Sequence, residues 1–367
     1  MPTVAEVCKW LERFAPPNLA AEWDNTGLLL GEMNAPAERI LTCLTVTPSV
    51  VAEAVADDAQ MILSHHPILF RATKNLSSNS AEGRLLAPLC SNNIAVYSPH
   101  TSFDNCAGGI NDQLAESFGL VGVKPLRPKS GLPGLKLVVF VPENDLAKVS
   151  DALFAAGAGK IGAYEQCSFR SLGAGTFFGT AGTNPTIGMP GRREEVQEYR
   201  LEVAVPSSKL DGVIAALRAA HSYEEPAFEW YPVQFPTTGG EGRIGELASS
   251  IPLNEFARRV RTITGSTCLQ FVGDPAKSIR AVAVACGAAA EFLKDAIRAK
   301  ADVFVTGEVR FHDGLAAEEA GIGLILSGHY ASERPAVEDL AAKLKFAFPE
   351  ATVWPSTRES DPFRSQS

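Results

Sequence analysis

The sequence predicts an α/β protein built from two similar α/β lobes, with an α+β domain of the ferredoxin-like type inserted between them. Three observations lead to this prediction. Strand and helix patterns alternate in residues 1–128, as they do in parallel βαβ units. Residues 129–238 change to the order strand-helix-strand-strand-helix-strand, which is that of ferredoxin-like domains. Residues 239–367 return to the first kind of alternation.

The first lobe, residues 1–128, begins with an amphipathic helix, because apolar residues recur at helical spacing over 4–14. Pro48 then marks the first turn of another helix. The predicted elements are a strand over 39–47, a helix over 48–60, a strand over 61–64, a helix over 82–93, a strand over 94–98 and a helix over 108–120.

The inserted domain, residues 129–238, is flanked by Pro- and Gly-rich segments over 128–134 and 235–242, which we predict to be hinges. A glycine-rich stretch over 171–188 suits a flexible loop. The regular elements with predicted positions are strands over 136–142, 198–206 and 227–233, and helices over 145–157 and 207–221, so one strand of the ferredoxin-like order has no assigned position.

The second lobe, residues 239–367, repeats the order of the first. Each lobe has a histidine just past a strand and an acid four residues later, His100 with Asp104 and His329 with Glu333. This repetition indicates two lobes related by duplication. The predicted elements are strands over 279–286, 302–306 and 322–327, and helices over 288–301, 314–321 and 333–345.

Composition restricts the class of protein and of partner. The chain has 367 residues, of which 46% are hydrophobic and 20% charged, and this is typical of a globular protein with more than one core. Its formal net charge of −9 argues against sequence-independent nucleic-acid binding, which needs a basic face. The charge does not exclude a small phosphorylated or nucleotide ligand that is held by a local site.

Cysteine usage and hydropathy favour the cytoplasm. The seven cysteines are scattered and include no C-x-x-C pair, so the sequence indicates neither a disulfide framework nor a zinc knuckle. No apolar run is as long as a membrane span, and the first residues lack the pattern of a signal peptide. We therefore predict a cytoplasmic protein without a membrane partner.

Histidines and acids follow the predicted strands of both lobes. His65 and His66 come directly after the strand 61–64, and Glu308 and His312 follow the strand 302–306. Because α/β sheets bind ligands at the carboxyl ends of parallel strands, two facing lobes would bring such side chains together. Imidazole and carboxylate ligands suit Zn, Fe(II), Mn or Ni.

Each motif also has a structural alternative. A single buried histidine is usually a hydrogen-bonded core residue, and we interpret His221 and His312 in that way. Adjacent histidines on an extended strand point to opposite sides, and a histidine and an acid four residues apart share a helix face by chance. The combination of an HH pair with H-x-x-x-D and H-x-x-x-E, in a chain with six histidines, favours a metal site over these alternatives.

Several segments resemble the Nif-three-like metal-binding family, whose members are also named GTP cyclohydrolase type-2 homologues. The middle zone is similar to the PII- and CutA-like insert of the longer members, through HSYEEPAFEWYPV (221–233). The other matching segments are AEWDNTGLLLG (21–31), SHHPILF (64–70), HTSFDNCAGGINDQLA (100–115), VFVTGEVRFHDGLAAEEAGIGLILSGHYASE (303–333) and the terminal DPF (361–363).

The resemblance implies a centre of two divalent metal ions, Zn, Fe, Mn or Ni. The implied ligands are His65, His66, Asp104, His329 and Glu333. Glu333 would bridge the ions, with His66 and Asp104 completing one shell and His65 and His329 the other.

Other residues would support this centre. His100 is the candidate catalytic residue for proton transfer, and Glu308 and His312 would lie beside the ligands. Trp23, Asp24 and Asn25 would line the cavity or hold its loop.

The function implied by the resemblance is a metal-dependent hydrolase that acts on a nucleotide or small phosphorylated substrate, as a GTP cyclohydrolase does. The implied assembly is a homohexamer whose sites face an internal chamber. The alternative is a non-catalytic metal-binding regulator or metal-insertion partner with a ligand-sensing inserted domain. A nucleic-acid module is a third hypothesis, which the acidic charge disfavours.

One segment departs from the family pattern. In CGAAAEF (286–292), alanines follow Gly287 where family members usually have a glycine-rich turn. Glycines would let main-chain amides approach an anion closely, so we expect weaker phosphate binding at this turn.

Overall fold

The computed structural model describes residues 1–73, 75–129, 133–162, 164–234 and 239–364. The chain forms two compact units, one from Met1–Lys129 with Thr238–Ser367 and the other from Ser130–Thr237. Over the described residues, three sheets and their helices make a mixed α/β structure, which confirms the predicted class. No helix in these ranges is long and apolar enough to cross a membrane. Both predicted hinges lie partly outside the described residues.

The amino-terminal part of the first unit alternates strands and helices as predicted. Its first helix begins at a capping box between Thr3 and Glu6, and its second begins with Thr47 as cap and Pro48 in the first turn. The elements are α1 (Val4–Phe14), β1 (Gly27–Leu30), β2 (Arg39–Cys43), α2 (Pro48–Ala56), β3 (Met61–Ser64), α3 (Ala81–Ser91), β4 (Ala95–Ser98), α4 (His100–Asn105), α5 (Ile110–Ser117) and β5 (Val121–Pro128).

The second unit has the order strand-helix-strand-strand-helix-strand. Its antiparallel sheet has the strand order β7-β8-β6-β9, and apolar side chains of both helices pack with those of the sheet in one core. The elements are β6 (Pro133–Pro142), α6 (Leu146–Ala155), β7 (Ser168–Phe178), β8 (Arg193–Pro206), α7 (Leu210–Ala220) and β9 (Phe228–Gln234).

The glycine-rich stretch of this unit is only partly a loop. Residues 168–178 form β7 and pair with β8 along its length, so the prediction of a flexible loop over 171–188 is wrong for the first part of that range. A continuous ladder of main-chain hydrogen bonds to a long partner strand holds these glycines in extended conformation, which glycine by itself does not favour.

The carboxyl-terminal part of the first unit resumes the alternation. Its first helix ends at Gly265, which has the left-handed conformation usual for a residue that closes a helix. The elements are β10 (Gly240–Pro252), α8 (Leu253–Thr264), β11 (Gln270–Val272), β12 (Ser278–Val284), α9 (Leu293–Arg298), β13 (Val303–Thr306), α10 (Phe311–Glu319), β14 (Gly323–Leu326), α11 (His329–Glu333), α12 (Pro335–Ala347) and β15 (Thr352–Pro355).

Two sheets of the same design form the centre of the first unit. One has the order β1-β4-β3-β2-β15, with β1 antiparallel to β4 and the other neighbours parallel. The other has the order β11-β14-β13-β12-β10-β5, in which β14, β13 and β12 are parallel. The strands β3, β4 and β13 are buried at every residue, as parallel strands covered on both faces are.

Each of these sheets takes an edge strand from the other half of the chain. β15, near the carboxyl terminus, pairs in parallel with β2 of the amino-terminal half. β5, from the amino-terminal half, pairs antiparallel with β10. The sequence analysis predicts neither strand. The two predicted lobes, 1–128 and 239–367, therefore share strands within one compact unit, and their status as separate domains stays a prediction.

Arg243 is a buried cation that ties β10 to the segment after α4. Its side chain is 2% exposed and forms an ion pair with Asp112. Its guanidinium also donates hydrogen bonds to the main-chain carbonyls of Gly240, Gly242, Asn105 and Cys106. Because the planar guanidinium offers five donors, one side chain can satisfy all of these acceptors.

Replacing Arg243 with methionine is expected to destabilise the fold by about 3–5 kcal/mol, because Asp112 and the buried carbonyls lose their partner. Chemical denaturation followed by circular dichroism measures this loss. The matched control is Arg280→Met, since the pair between Arg280 and Glu246 is 3.0 Å long but both side chains are 56% exposed. We expect the control to lose less than about 1 kcal/mol. Equal losses in the two variants would contradict a special role for the buried arginine.

Candidate metal centre

The loop after β3 carries His65 and His66. Its main chain continues beyond the strand, since His65 N donates to Cys43 O at 3.0 Å and His66 N to Leu44 O at 2.8 Å. The hydroxyl of Ser64 donates to His66 O at 2.7 Å. These bonds hold both histidines in an extended segment, so that their side chains leave the main chain in different directions.

Two short helices carry the other predicted ligands. His329 and Glu333 are the first and last residues of α11, and His100 and Asp104 stand four residues apart on α4. This spacing places each pair on one helix face. His100 itself has φ +33°, which is a strained value for a residue other than glycine. It stands where the chain passes from β4 into α4.

The loop after β3 and the helices α4 and α11 bring these side chains together around the carboxylate of Glu333. Its Oε2 lies 3.0 Å from His66 Nε2, 3.1 Å from His329 Nε2 and 3.9 Å from His65 Nε2. His65 Nε2 in turn lies 3.5 Å from Asp104 Oδ1. The structure thus brings together His65, His66, Asp104, His329 and Glu333, all five residues that the resemblance implies as ligands.

The ring nitrogens of His65 fit a metal ion better than a hydrogen bond. The residue is 2% exposed, and neither nitrogen has a hydrogen-bond partner among the described residues. Buried polar atoms are nearly always partnered, because an unpaired one costs free energy. A cation at this place would supply the missing interaction. The donor set of imidazoles and carboxylates suits Zn, Fe, Mn or Ni.

The Nδ1 atoms of His66 and His329 each have a hydrogen-bond partner. Thr45 Oγ1 lies 2.7 Å from His66 Nδ1, and Glu308 Oε1 lies 2.9 Å from His329 Nδ1. In each case the Nε2 atom is left directed toward Glu333, which is how metal-binding histidines are usually oriented. Burial lowers the pKa of His329, but hydrogen bonds to Glu333 and Glu308 outweigh burial and raise it to about 9.

Burial and neighbouring groups shift the pKa values of the residues in the centre. Burial raises the pKa of Glu333, but hydrogen bonds from His329 and His66 outweigh it and bring the pKa far below that of an ordinary carboxyl. Burial and the charge of Glu333 raise the pKa of Asp104. Burial lowers the pKa of His65 well below its usual value. A bound cation would favour ionised carboxylates and neutral imidazoles together, which is the state that ligates a metal.

His100 is held by an acid whose role the sequence analysis leaves open. Asp24 Oδ1 accepts from His100 Nδ1 at 2.6 Å, and Asp24 Oδ2 accepts from Thr101 N at 3.1 Å. Burial lowers the pKa of His100, but the bond to Asp24 and the charge of Asp104 raise it by more. Asp24 and His100 are 76 positions apart in the sequence, so spacing along the chain does not predict their contact. The only signal for Asp24 in the sequence is that it belongs to a segment that matches the family.

The centre opens into a cavity of about 350 Å³. Trp23 and Phe70 form part of its wall, with ring centroids 6.0 Å apart, and they are 59% and 51% exposed. Trp23 therefore belongs to the cavity wall and not to a buried core. Asn25 holds this loop, since its amide donates to Leu69 O at 2.5 Å.

The other two histidines have different surroundings. His221 is 7% exposed and uses both ring nitrogens, which confirms its interpretation as a hydrogen-bonded core residue. His312 is exposed and its ring lies against Phe311, with centroids 5.7 Å apart. The interpretation of His312 as a buried core residue is wrong, because its helix α10 turns that position to the surface.

The turn after β12 leaves no space for a side chain at Gly287. This residue has φ +65°, and a Cβ atom here would collide with Glu333 Oε1 and lie 3.4 Å from His329 Nε2. The amides of Cys286 and Gly287 donate to Asn111 Oδ1 and Ser332 Oγ, at 2.8 and 3.0 Å. Both amides are thus already bonded within the chain.

Comparison with known proteins points to one family over nearly the whole chain. The model of the Duf34/NIF3 (NGG1p interacting factor 3) family matches residues 2–362. A protein of Halalkalibacterium halodurans named GTP cyclohydrolase 1 type 2 homolog is 38% identical over 361 residues, which are 97% of each chain.

Solved structures give the same result. A Bacillus cereus protein related to NIF3 is 34% identical, with a TM-score of 0.82, over 100% of this chain and 99% of the other. Staphylococcus aureus protein SA1388 is 26% identical, with a TM-score of 0.84 and the same coverage.

Proposed function

This chain belongs to the Duf34/NIF3 family, and from that membership and the geometry of the centre we propose that it is a metal-dependent hydrolase with two metal ions. Its substrate is a nucleotide or another small phosphorylated molecule, and the names of its relatives suggest GTP. The observation on which the proposal depends is His65, a buried imidazole with both nitrogens unpartnered in the described residues, next to two carboxylates.

Two ion positions can share Glu333. His66, His329 and Glu333 offer ligand atoms within 4.8 Å of one another, which suits one ion. His65 and Asp104, 3.5 Å apart, suit the second. This assignment differs from the one that the resemblance implies. There, His66 and Asp104 bind one ion, and His65 and His329 bind the other.

A third arrangement is also close in space. His65, His66 and His100 offer ligand atoms within 4.8 Å of one another, so His100 competes as a ligand with its proposed role in proton transfer. The hydrogen bond from Nδ1 to Asp24 fixes the ring of His100 and leaves Nε2 as the atom that ligates an ion or moves a proton.

When bound, the ions polarise a substrate oxygen and lower the pKa of water. The chain itself binds and orients the substrate beside Trp23 and Phe70. His100 Nε2 takes up or returns a proton, and Asp24 stabilises the imidazolium that results. The buried position of Glu333 and His65 excludes bulk water from the floor of the cavity.

Three finer features belong to the proposal. The second unit is a ferredoxin-like, PII- or CutA-like insert, which its element order and its sheet order support. The protein assembles with copies of itself, as a homohexamer, and it acts in the cytoplasm. A role of the insert in sensing a ligand is the corresponding part of the regulator hypothesis.

Turnover is the direct test. The purified protein is loaded with Zn, Fe, Mn or Ni, its metal content is measured, and it is incubated with GTP and a panel of phosphate esters. We expect hydrolysis by the wild type and a loss of roughly 10²- to 10⁴-fold in His100→Gln at unchanged metal content. Asp24→Asn is expected to lower turnover as well, because the ring of His100 loses its anionic partner.

Three outcomes separate the alternatives. A loss of metal from His100→Gln would make His100 a ligand rather than a proton carrier. No turnover by any metal-loaded form, together with a response of the second unit to a small molecule, would favour the non-catalytic regulator. Absence of bound metal from the wild type would overturn both functions.

A further inference from the structure

Cys286 lies beside the centre but has no part in the ligand set described above. It lies two residues after the end of β12 and is 8% exposed. Its Sγ atom donates to Asp104 Oδ1 over 3.2 Å, a normal distance for a hydrogen bond from sulfur. Asp104 Oδ1 is also the oxygen that lies 3.5 Å from His65 Nε2, so the thiol contacts the oxygen nearest to the unpartnered imidazole.

Asn111 holds this thiol and Asp104 to each other through the main chain. Its Oδ1 accepts from Cys286 N at 2.8 Å, and its Nδ2 donates to Asp104 O at 3.0 Å. Asn111 is 2% exposed, so both bonds are protected from water. Cys286 and Asp104 come from opposite halves of the chain, and their relative position therefore depends on this bridge and on the thiol.

We propose that Cys286 is a positioning residue for metal binding, whose thiol hydrogen bond orients the carboxylate of Asp104 toward the ion shared with His65. This inference rests on the proposed function, since it assumes that the centre holds metal. Rotation about the last side-chain bond of an aspartate is soft, because a terminal carboxylate has broad torsional preferences. One hydrogen bond to a chosen oxygen removes that freedom, as outer partners of metal-ligating carboxylates commonly do.

Two kinds of variant separate the hydrogen bond from packing. Cys286→Ala and Cys286→Val remove the donor and change the volume in opposite directions, whereas Cys286→Ser keeps a donor in a side chain of similar size. Cys90→Ala, at an exposed cysteine of α3, is the matched control. Each full-length protein is titrated with Co²⁺, and visible and near-ultraviolet absorption report affinity and ligand geometry.

The positioning role predicts that Cys286→Ala and Cys286→Val bind one of the two cobalt ions roughly 10- to 100-fold more weakly than the wild type. Cys286→Ser is expected to recover most of this loss and Cys90→Ala to match the wild type. The wild-type spectrum is expected to lack a sulfur-to-cobalt charge-transfer band, because the sulfur bonds to Asp104 and not to the metal.

Other results would overturn the proposal. Wild-type affinity in both donor-free variants would show that the thiol bond has no effect, and a serine variant as weak as alanine would assign the effect to packing. A charge-transfer band that vanishes in Cys286→Ser would make Cys286 a ligand. If the wild type bound no cobalt, the proposed function itself would fail, and this inference with it. The titration of the wild type therefore distinguishes the two failures.

Discussion

Glu333→Gln is expected to reduce metal binding from a stoichiometric amount to a level below detection. Three imidazoles lie around the Glu333 carboxylate, two of them with Nε2 within 3.1 Å of Oε2. Glutamine has nearly the same shape but no charge, and its amide nitrogen cannot ligate a cation. Both proposed ions would lose the anion that they share.

Metal content after dialysis, measured by inductively coupled plasma mass spectrometry, checks this result. Thermal unfolding gives a second readout, because a ligand at 100 times its Kd stabilises the folded state by about 2.7 kcal/mol. Added metal should raise the Tm of the wild type and leave that of Glu333→Gln unchanged.

The matched control is Glu338→Gln. Glu338 follows in α12, and its side chain is 53% exposed and pairs with Arg334. We expect this variant to keep the metal content and the metal-dependent Tm shift of the wild type. Wild-type metal content in Glu333→Gln would place the bound ions elsewhere in the protein and end the assignment of this centre.

Gly287→Ala is expected to damage the centre by the addition of a single methyl group. The residue has φ +65°, which costs alanine about 1–2 kcal/mol. Its new Cβ would also collide with Oε1 of Glu333, a side chain that is 3% exposed. We therefore expect a loss of stability together with a loss of metal.

Gly265→Ala separates these two effects. Gly265 has φ +67°, almost the same as Gly287, but a Cβ there would meet no atom within 4 Å. This control should lose about 1–2 kcal/mol of stability and keep its metal. Denaturation curves and metal analysis of both variants make the comparison. If the two variants lost equal stability and both retained metal, the contact with Glu333 would be unimportant.

The strongest local patterns were sufficient to predict the core of the first unit. Short apolar runs such as 61–64 and 302–306 became β3 and β13, because a strand buried on both faces needs apolar residues at every position. The apolar spacing over 4–14 and Pro48 predicted helices that the structure contains, because both signals depend on residues close in sequence.

The sequence contains weaker signals for edge strands and for side chains that bridge distant segments. Nothing in residues 352–355 indicates that they pair with β2, more than three hundred positions earlier, because main-chain pairing has little dependence on side-chain identity. Asn111 is another example, because in the sequence it is an ordinary polar residue of a helix pattern. Only the structure shows that its side-chain amide bridges the main chains of Asp104 and Cys286.

The sequence alone determined the α/β class and the choice of candidate site residues, because both depend on residue type and short-range spacing. Only the tertiary structure decided which imidazole faces which carboxylate and that Asp24 bonds to His100. It also decided that each sheet of the first unit includes a strand from the other half of the chain. These features depend on distances between segments far apart in the chain, and such distances are set by the packing of the whole unit.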